Sequence, residues 1–244
     1  MEILVNRMLK TIHGGWWLNK ILKAFIRLCL RSFMRSVFIS MLARMCSWQI
    51  KEMISLDKSD RRDKPVLLVL SPNRFTRDLD VVSDTGHFNF LLAPLNWQTG
   101  LFSLFYPSDQ TNHQLAHHRD EPKLKACQEN YRAFLAVFLT KLISFRKIDC
   151  IIGANYWYHQ DIHWGAVAEK LGTPYVVFFK EGFRIQKPDQ QLVIKQCERL
   201  GGKFEGRFLA TQNEVIRNLL LSCNYVDEDN CDSIGVPRMD NFVA

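Results

Sequence analysis

Strands alternating with helices over short loops predict an α/β fold built on a mostly parallel sheet. Two continuous apolar runs of strand length, 66–70 (VLLVL) and 175–179 (YVVFF), suit strands covered by helices on both faces. Between and after them lie helical patterns, each stopped by glycine or proline: Gly172-Thr173-Pro174, Gly201-Gly202 and Pro237.

In chain order, the first element is a basic arm, residues 1–56. Residues 1–50 hold eight bases and one acid, which accounts for the whole of the chain's +7 and leaves the remainder neutral. A protein wrapping nucleic acid over its whole surface is thereby disfavoured. From Leu18 to Met45 there is no proline or glycine, and Lys20, Lys23, Arg27, Arg31 and Arg35 recur every three or four residues, along one face of an amphipathic helix. Its longest uncharged run is far short of the ~20 residues of a spanning helix. A basic stripe opposite an apolar face, flanked by Trp16, Trp17 and Trp48, suits a helix lying on an anionic membrane surface, the alternative being a helix packed on its own domain. No clean signal peptide is read, because bases interrupt the apolar stretch. Seven cysteines, odd in number and without a C-x-x-C pair, fit a reducing compartment. The expected location is cytoplasmic, peripheral on the inner face of the membrane.

A charged linker, 57–64 (DKSDRRDK), precedes one domain over 65–244. Its first strand, 66–70, ends at a Ser71-Pro72-Asn73 turn, and a short helix follows over 77–84. Strands are expected at 88–92 and 102–106, then a long helix over 122–145 with Pro122 in its first turn. A strand at 149–154 (DCIIGA) leads through an aromatic turn to a helix over 160–171, the strand at 175–179 and a helix over 189–200. After a strand at 207–210, Thr211 and Glu214 have capping-box spacing for a helix over 212–221, and 232–236 forms the last strand.

Ligands of an open parallel sheet collect beyond the carboxyl ends of its strands. After the strand at 149–154 stand Tyr156, Trp157, Tyr158, His159, Asp161, His163 and Trp164. Aromatic faces suit the C–H face of a sugar, and a histidine or carboxylate can bind or deprotonate a hydroxyl. Taken one by one these are ordinary core or capping residues; it is their density that points to a site. Lys180, Glu181 and Arg184 follow YVVFF: Glu181 is the first candidate base, ahead of His163, His159 and Asp161, and Lys180 or Arg184 can hold a phosphate or carboxylate. A surface salt-bridge cluster is the plainer reading of those charges. His159 and His163 are one helical turn apart but lack the glutamate of H-E-x-x-H, so no metal is expected, nor any cofactor. No G-x-G-x-x-G follows a strand, no P-loop is complete and no G-x-S-x-G occurs, which removes support from nicotinamide enzymes, P-loop NTPases and α/β-hydrolases.

Ser71-Pro72 with Arg74 and Asp78, Lys180-Glu181, and the closing Gly235-Val236-Pro237-Arg238-Met239-Asp240 together resemble the N-terminal half of GT-B-fold glycosyltransferases of bacterial surface-carbohydrate synthesis, including relatives of the CDP-glycerol glycerophosphotransferases. The resemblance spans 65–244, with the G-x-P-R-x-D stretch its most specific element. It implies a single Rossmann-like GT-B-type domain that binds a glycan or lipid-linked acceptor for capsule or other surface polysaccharide. The nucleotide-activated donor would be held by a missing or separate domain, so the chain alone is expected to be inactive. Catalytic roles would fall to Glu181, His163 and Asp161, and acceptor contacts to Tyr156, Trp157, Tyr158, His159, Lys180 and Arg184. Two other readings stay open: a non-catalytic membrane-surface adaptor that recruits a soluble transferase subunit, and an unrelated small-molecule-binding domain.

Overall fold

The computed structural model describes residues 26, 28–30, 35–53, 63–94, 97–106, 122–158, 160–179 and 186–242. Seven strands form one sheet: β1 (Lys51–Met53), β2 (Val66–Val69), β3 (Asn89–Leu92), β4 (Cys150–Gly153), β5 (Tyr175–Phe178), β6 (Phe208–Thr211) and β7 (Cys231–Ser233). Their order is β1-β3-β2-β4-β5-β6-β7, and every pairing is parallel except β1 with β3. The helices are α1 (Arg35–Gln49), α2 (Thr76–Asp84), α3 (Trp97–Phe102), α4 (Pro122–Arg146), α5 (Ile162–Lys170), α6 (Lys187–Leu200) and α7 (Glu214–Ser222). The chain is thus α/β and Rossmann-like, as its alternating pattern predicts.

Strand alternation divides the core. On one face Leu68, Leu70, Leu91, Ile151 and Val177 are buried with side chains of α1 and α4–α7. On the other, Leu67, Val69, Phe90 and Ile152 meet Phe75 and Leu79 of the β2–α2 segment. Both faces of β2 and β4 are covered, which is why their sequences read as unbroken apolar runs.

Three expectations change. The strand expected at 102–106 is instead the end of α3 and the turn after it. Trp97, Leu101, Phe102 and Leu104 have helical spacing and are buried, and the rings of Phe102 and Phe105 pack on Tyr131 and Phe134 of α4 at 5.5 and 5.0 Å. The cap of α7 is Asn213, whose Oδ1 accepts from the Ile216 amide at 3.0 Å. Thr211 is the last residue of β6, and its hydroxyl is spent on Asn213 O and Asp232 O. The final strand stops at Ser233, two residues before Gly235 turns the backbone to φ +74°.

Residues 35–53, which the sequence places in the arm, pack as part of this layer. Ile39, Ala43, Cys46 and Ile50 are buried in the main core cluster, Trp97 Nε1–H donates to Cys46 Sγ at 3.1 Å, and Arg146 of α4 donates to Ser47 O and pairs with Glu52. Lys51–Met53 adds an edge strand that no apolar run announced. The opposite face of α1 leaves Val37, Met41, Arg44 and Trp48 exposed. Of the basic stripe, Lys20, Lys23, Arg27 and Arg31 lie outside the described residues, as do Trp16 and Trp17. No described helix is long and apolar enough to cross a membrane.

Candidate functional site

From β2 the chain crosses to β3 on one side and later returns to β4 on the other, so strand order reverses between β2 and β4. The loops leaving their carboxyl ends splay apart there and leave a crevice. The β2 loop turns sharply at Ser71 (φ 52°) into a 3-10 turn, Pro72–Arg74. Gln98 of α3 donates to Ser71 Oγ at 3.2 Å. Arg74 lies with its guanidinium 4.4 Å from the Tyr158 ring centroid and donates to Tyr158 Oη at 2.6 Å, tying the β2 loop to the β4 loop. Trp157 and Tyr158 are half-buried beside it, their rings 5.0 Å apart.

The β4 loop is shaped by Asn155, whose Oδ1 accepts from the Trp157 amide at 2.9 Å. It delivers Asp161 to the start of α5. This carboxyl is 1% exposed, and neither oxygen has a hydrogen-bond partner among the described residues. Burial pushes it from the ordinary 3.8 up to about 7, with Arg74 pulling weakly the other way. Asn155 Nδ2 and Tyr175 Oη are likewise buried and without partners among the described residues. Asn155, Asp161 and Tyr175 line one cleft together with Tyr156, His163, Arg132, Lys203 and Glu205.

Tyr175 begins β5, yet its side chain runs back across the sheet to this cleft. Three glycines make the path. A Cβ at Gly153 would stand 2.2 Å from Tyr175 Oη, one at Gly165 3.0 Å from Cδ1, and one at Gly206 2.9 Å from the same atom. Nothing in the local sequence marked these glycines as a set.

The remaining expected site residues divide clearly. His163 is buried and engaged at both nitrogens. Arg132 Nε donates to Nδ1 at 3.1 Å, and Nε2 meets Tyr106 Oη at 3.2 Å. A guanidinium only donates, so Nδ1 accepts and the proton of the neutral ring lies on Nε2, toward Tyr106. Arg132 is itself held by both oxygens of Glu205. His163 therefore positions α4 against α5. Tyr156 is buried, its hydroxyl directed at Gln196 Oε1 at 3.4 Å and its ring edge-on to Phe179. His159, Lys180, Glu181 and Arg184 lie outside the described residues. Among those described, no three His, Cys, Asp or Glu side chains gather as metal ligands would.

Two separated pieces of sequence also meet. Asp78 of α2 is 5% exposed and accepts from both the Arg238 amide (3.1 Å) and its guanidinium (2.7 Å), 160 residues away. The 3-10 turn Pro237–Phe242 thereby packs on α2 beside the β2 loop.

The chemistry available is a buried carboxyl pushed up to about 7 in the cleft behind the β4 loop, with Arg74 of the β2 loop and Trp157 and Tyr158 of the β4 loop gathered outside the lining of that cleft. In comparison with known proteins, the chain matches no protein-family model, no curated protein and no solved structure.

Proposed function

We propose that this chain is the acceptor-binding domain of a glycosyltransferase or glycerophosphotransferase in surface-polysaccharide synthesis, with Asp161 as the base. The observation that carries this reading is the buried, unpartnered Asp161 at the switch point. A carboxyl that titrates near 7 is poised to take a proton from an alcohol at working pH. The acceptor oxygen would attack the donor's anomeric carbon or phosphorus. Its proton passes to Asp161, and the nucleotide leaves with the electron pair of the broken bond. The donor is supplied by another domain or chain, and the crevice holds the acceptor in line while excluding water.

The Asp78–Arg238 pairing supports the same reading, since it joins two of the segments that carry the family resemblance. Arg74 and the Trp157–Tyr158 pair offer the cation and flat apolar faces that a glycan needs. Glu181 is the competing base.

The test is a transfer assay with the chain, a donor-binding partner chain and a glycan acceptor. Asp161→Asn abolishing transfer while Glu181→Gln leaves most of it supports the assignment; the reverse pattern moves the base to Glu181. Glycan binding by the isolated chain, followed through Trp157 fluorescence, tests the broader claim. No binding of any glycan or polyol would refute it.

A second reading, a membrane-surface adaptor, draws on the exposed stripe Val37, Met41, Arg44 and Trp48 of α1. It is favoured if a partner transferase is recruited to vesicles equally well by the Asp161→Asn chain. Either reading sets the protein peripherally on the cytoplasmic face of an anionic membrane.

A further inference from the structure

Three buried polar groups without partners in one cleft are costly. Each forfeits its hydration without a compensating bond, and native proteins rarely tolerate several such groups together. Tyr175 sharpens the point. Phenylalanine would fill the same path between Gly153, Gly165 and Gly206 without burying a hydroxyl, yet the chain carries tyrosine there with Oη unpaired. The group is present for something that enters the cleft.

The donor and acceptor inventory narrows what that is. Asp161 offers acceptor oxygens, Asn155 Nδ2 offers only donors, and Tyr175 Oη offers both. An ammonium group would satisfy Asp161 but confront the Asn155 N–H groups and the nearby Arg74 charge. A carboxylate or phosphate would suit Asn155 but confront Asp161 once its carboxyl has ionised. A hydroxyl donates to Asp161 while accepting from Asn155 or Tyr175, so of these three it is the one that suits every group. Size narrows the choice further. The cleft as a whole holds about 30 Å³, where one water needs roughly 10–15 Å³. That is room for a CH₂OH tip and not for a sugar ring. The charges that line the cleft are already paired, Arg132 with Glu205 and Lys203 with Asp227, so no charged ligand is called for by them.

We propose that the floor of this cleft is a subsite for one primary hydroxyl, carried on the hydroxymethyl arm of an uncharged sugar or polyol. This rests on the acceptor-domain reading and specifies which hydroxyl Asp161 receives. Water occupies the floor until the arm displaces it.

The test uses two probes that differ only in that arm, methyl α-glucoside and methyl α-xyloside, titrated calorimetrically into the full chain. The glucoside should bind at least about tenfold more tightly, because the xyloside leaves the three polar groups unanswered. Tyr175→Phe, which deletes only Oη, should weaken the glucoside several-fold and leave the xyloside unchanged. Asp161→Asn should do the same more strongly. If that variant does not fold, as judged by thermal unfolding, Tyr175→Phe decides alone. Equal binding of the two sugars, or no effect of Tyr175→Phe, overturns the hydroxymethyl assignment while leaving the acceptor-domain reading intact. Binding of neither sugar overturns the hydroxymethyl assignment, and no binding of any other glycan or polyol either overturns the acceptor-domain reading as well.

Discussion

Asp161→Asn gives a stability experiment that needs no substrate. In the folded chain burial holds the Asp161 carboxyl near 7, while in the unfolded chain it returns to the ordinary 3.8. Between those values the folded state keeps a proton that the unfolded state has released. Stability must therefore fall as pH rises, by up to about 1.4 kcal/mol per pH unit, and level off above 7. Integrated over the window, the charged form costs roughly 4 kcal/mol at pH 8 relative to pH 4, a large part of the stability of an ordinary domain. Asparagine cannot ionise, so the variant should lose this slope. It keeps a buried polar group, which costs roughly 1–3 kcal/mol. The net expectation is a variant more stable than the parent by roughly 1–3 kcal/mol at pH 8, and equal or less stable at pH 4.5. Urea unfolding at pH 4.5, 6, 7 and 8 reads the difference directly. A difference that does not change with pH, or a variant less stable than the parent at pH 8, would refute the burial argument for Asp161.

Arg238→Ala strands the buried Asp78 carboxylate and should cost roughly 1–3 kcal/mol, the pair being only partly shielded; an unchanged urea midpoint contradicts it. Gly153→Ala drives a methyl into Tyr175 Oη and should cost roughly 1–3 kcal/mol, with part of the loss restored in the Gly153→Ala/Tyr175→Phe double variant; no rescue would mean that the clash is not with the hydroxyl. Met41→Glu and Trp48→Glu, both on the exposed face of α1, should reduce binding to anionic vesicles without lowering the unfolding temperature. Unchanged flotation of both variants would remove α1 from any membrane contact.

The helical arm shows where sequence reading reaches its limit. Over 35–49 a helix was legible, because apolar residues run without glycine or proline. What it packs on was not legible, because exposed Val37, Met41 and Trp48 are as apolar as buried Ile39, Ala43 and Cys46. A helix apolar on most sides does not show which side faces the sheet. The parallel strands β2 and β5 were legible for the opposite reason: coverage on both faces demands apolar residues at every position. The edge strand β1, with the sequence Lys-Glu-Met, carries no such demand and left no trace. The 102–106 segment failed because five residues rich in aromatics satisfy a strand and a helical turn equally.

The candidate site was legible as a place rather than as a set of roles. Positions after β4 were readable because a parallel sheet puts its ligands there, and Asp161 lies within that segment. The sequence ranked it no higher than its histidine neighbours, since the spacing of His159, Asp161 and His163 does not distinguish a free group from an engaged one. Two long-range contacts separate them: Arg132 of α4 and Tyr106 after α3 occupy both nitrogens of His163, while no described residue hydrogen-bonds the Asp161 carboxyl. The same holds for Tyr175. At the head of YVVFF it reads as one more β-forming aromatic, and only the joint absence of side chains at positions 153, 165 and 206 turns it toward the cleft. Those glycines come from a strand end, a helix and a loop, so no local pattern links them. A site built from missing side chains on three elements becomes visible only once the sheet has brought them together, and that is where functional inference for this chain has to start.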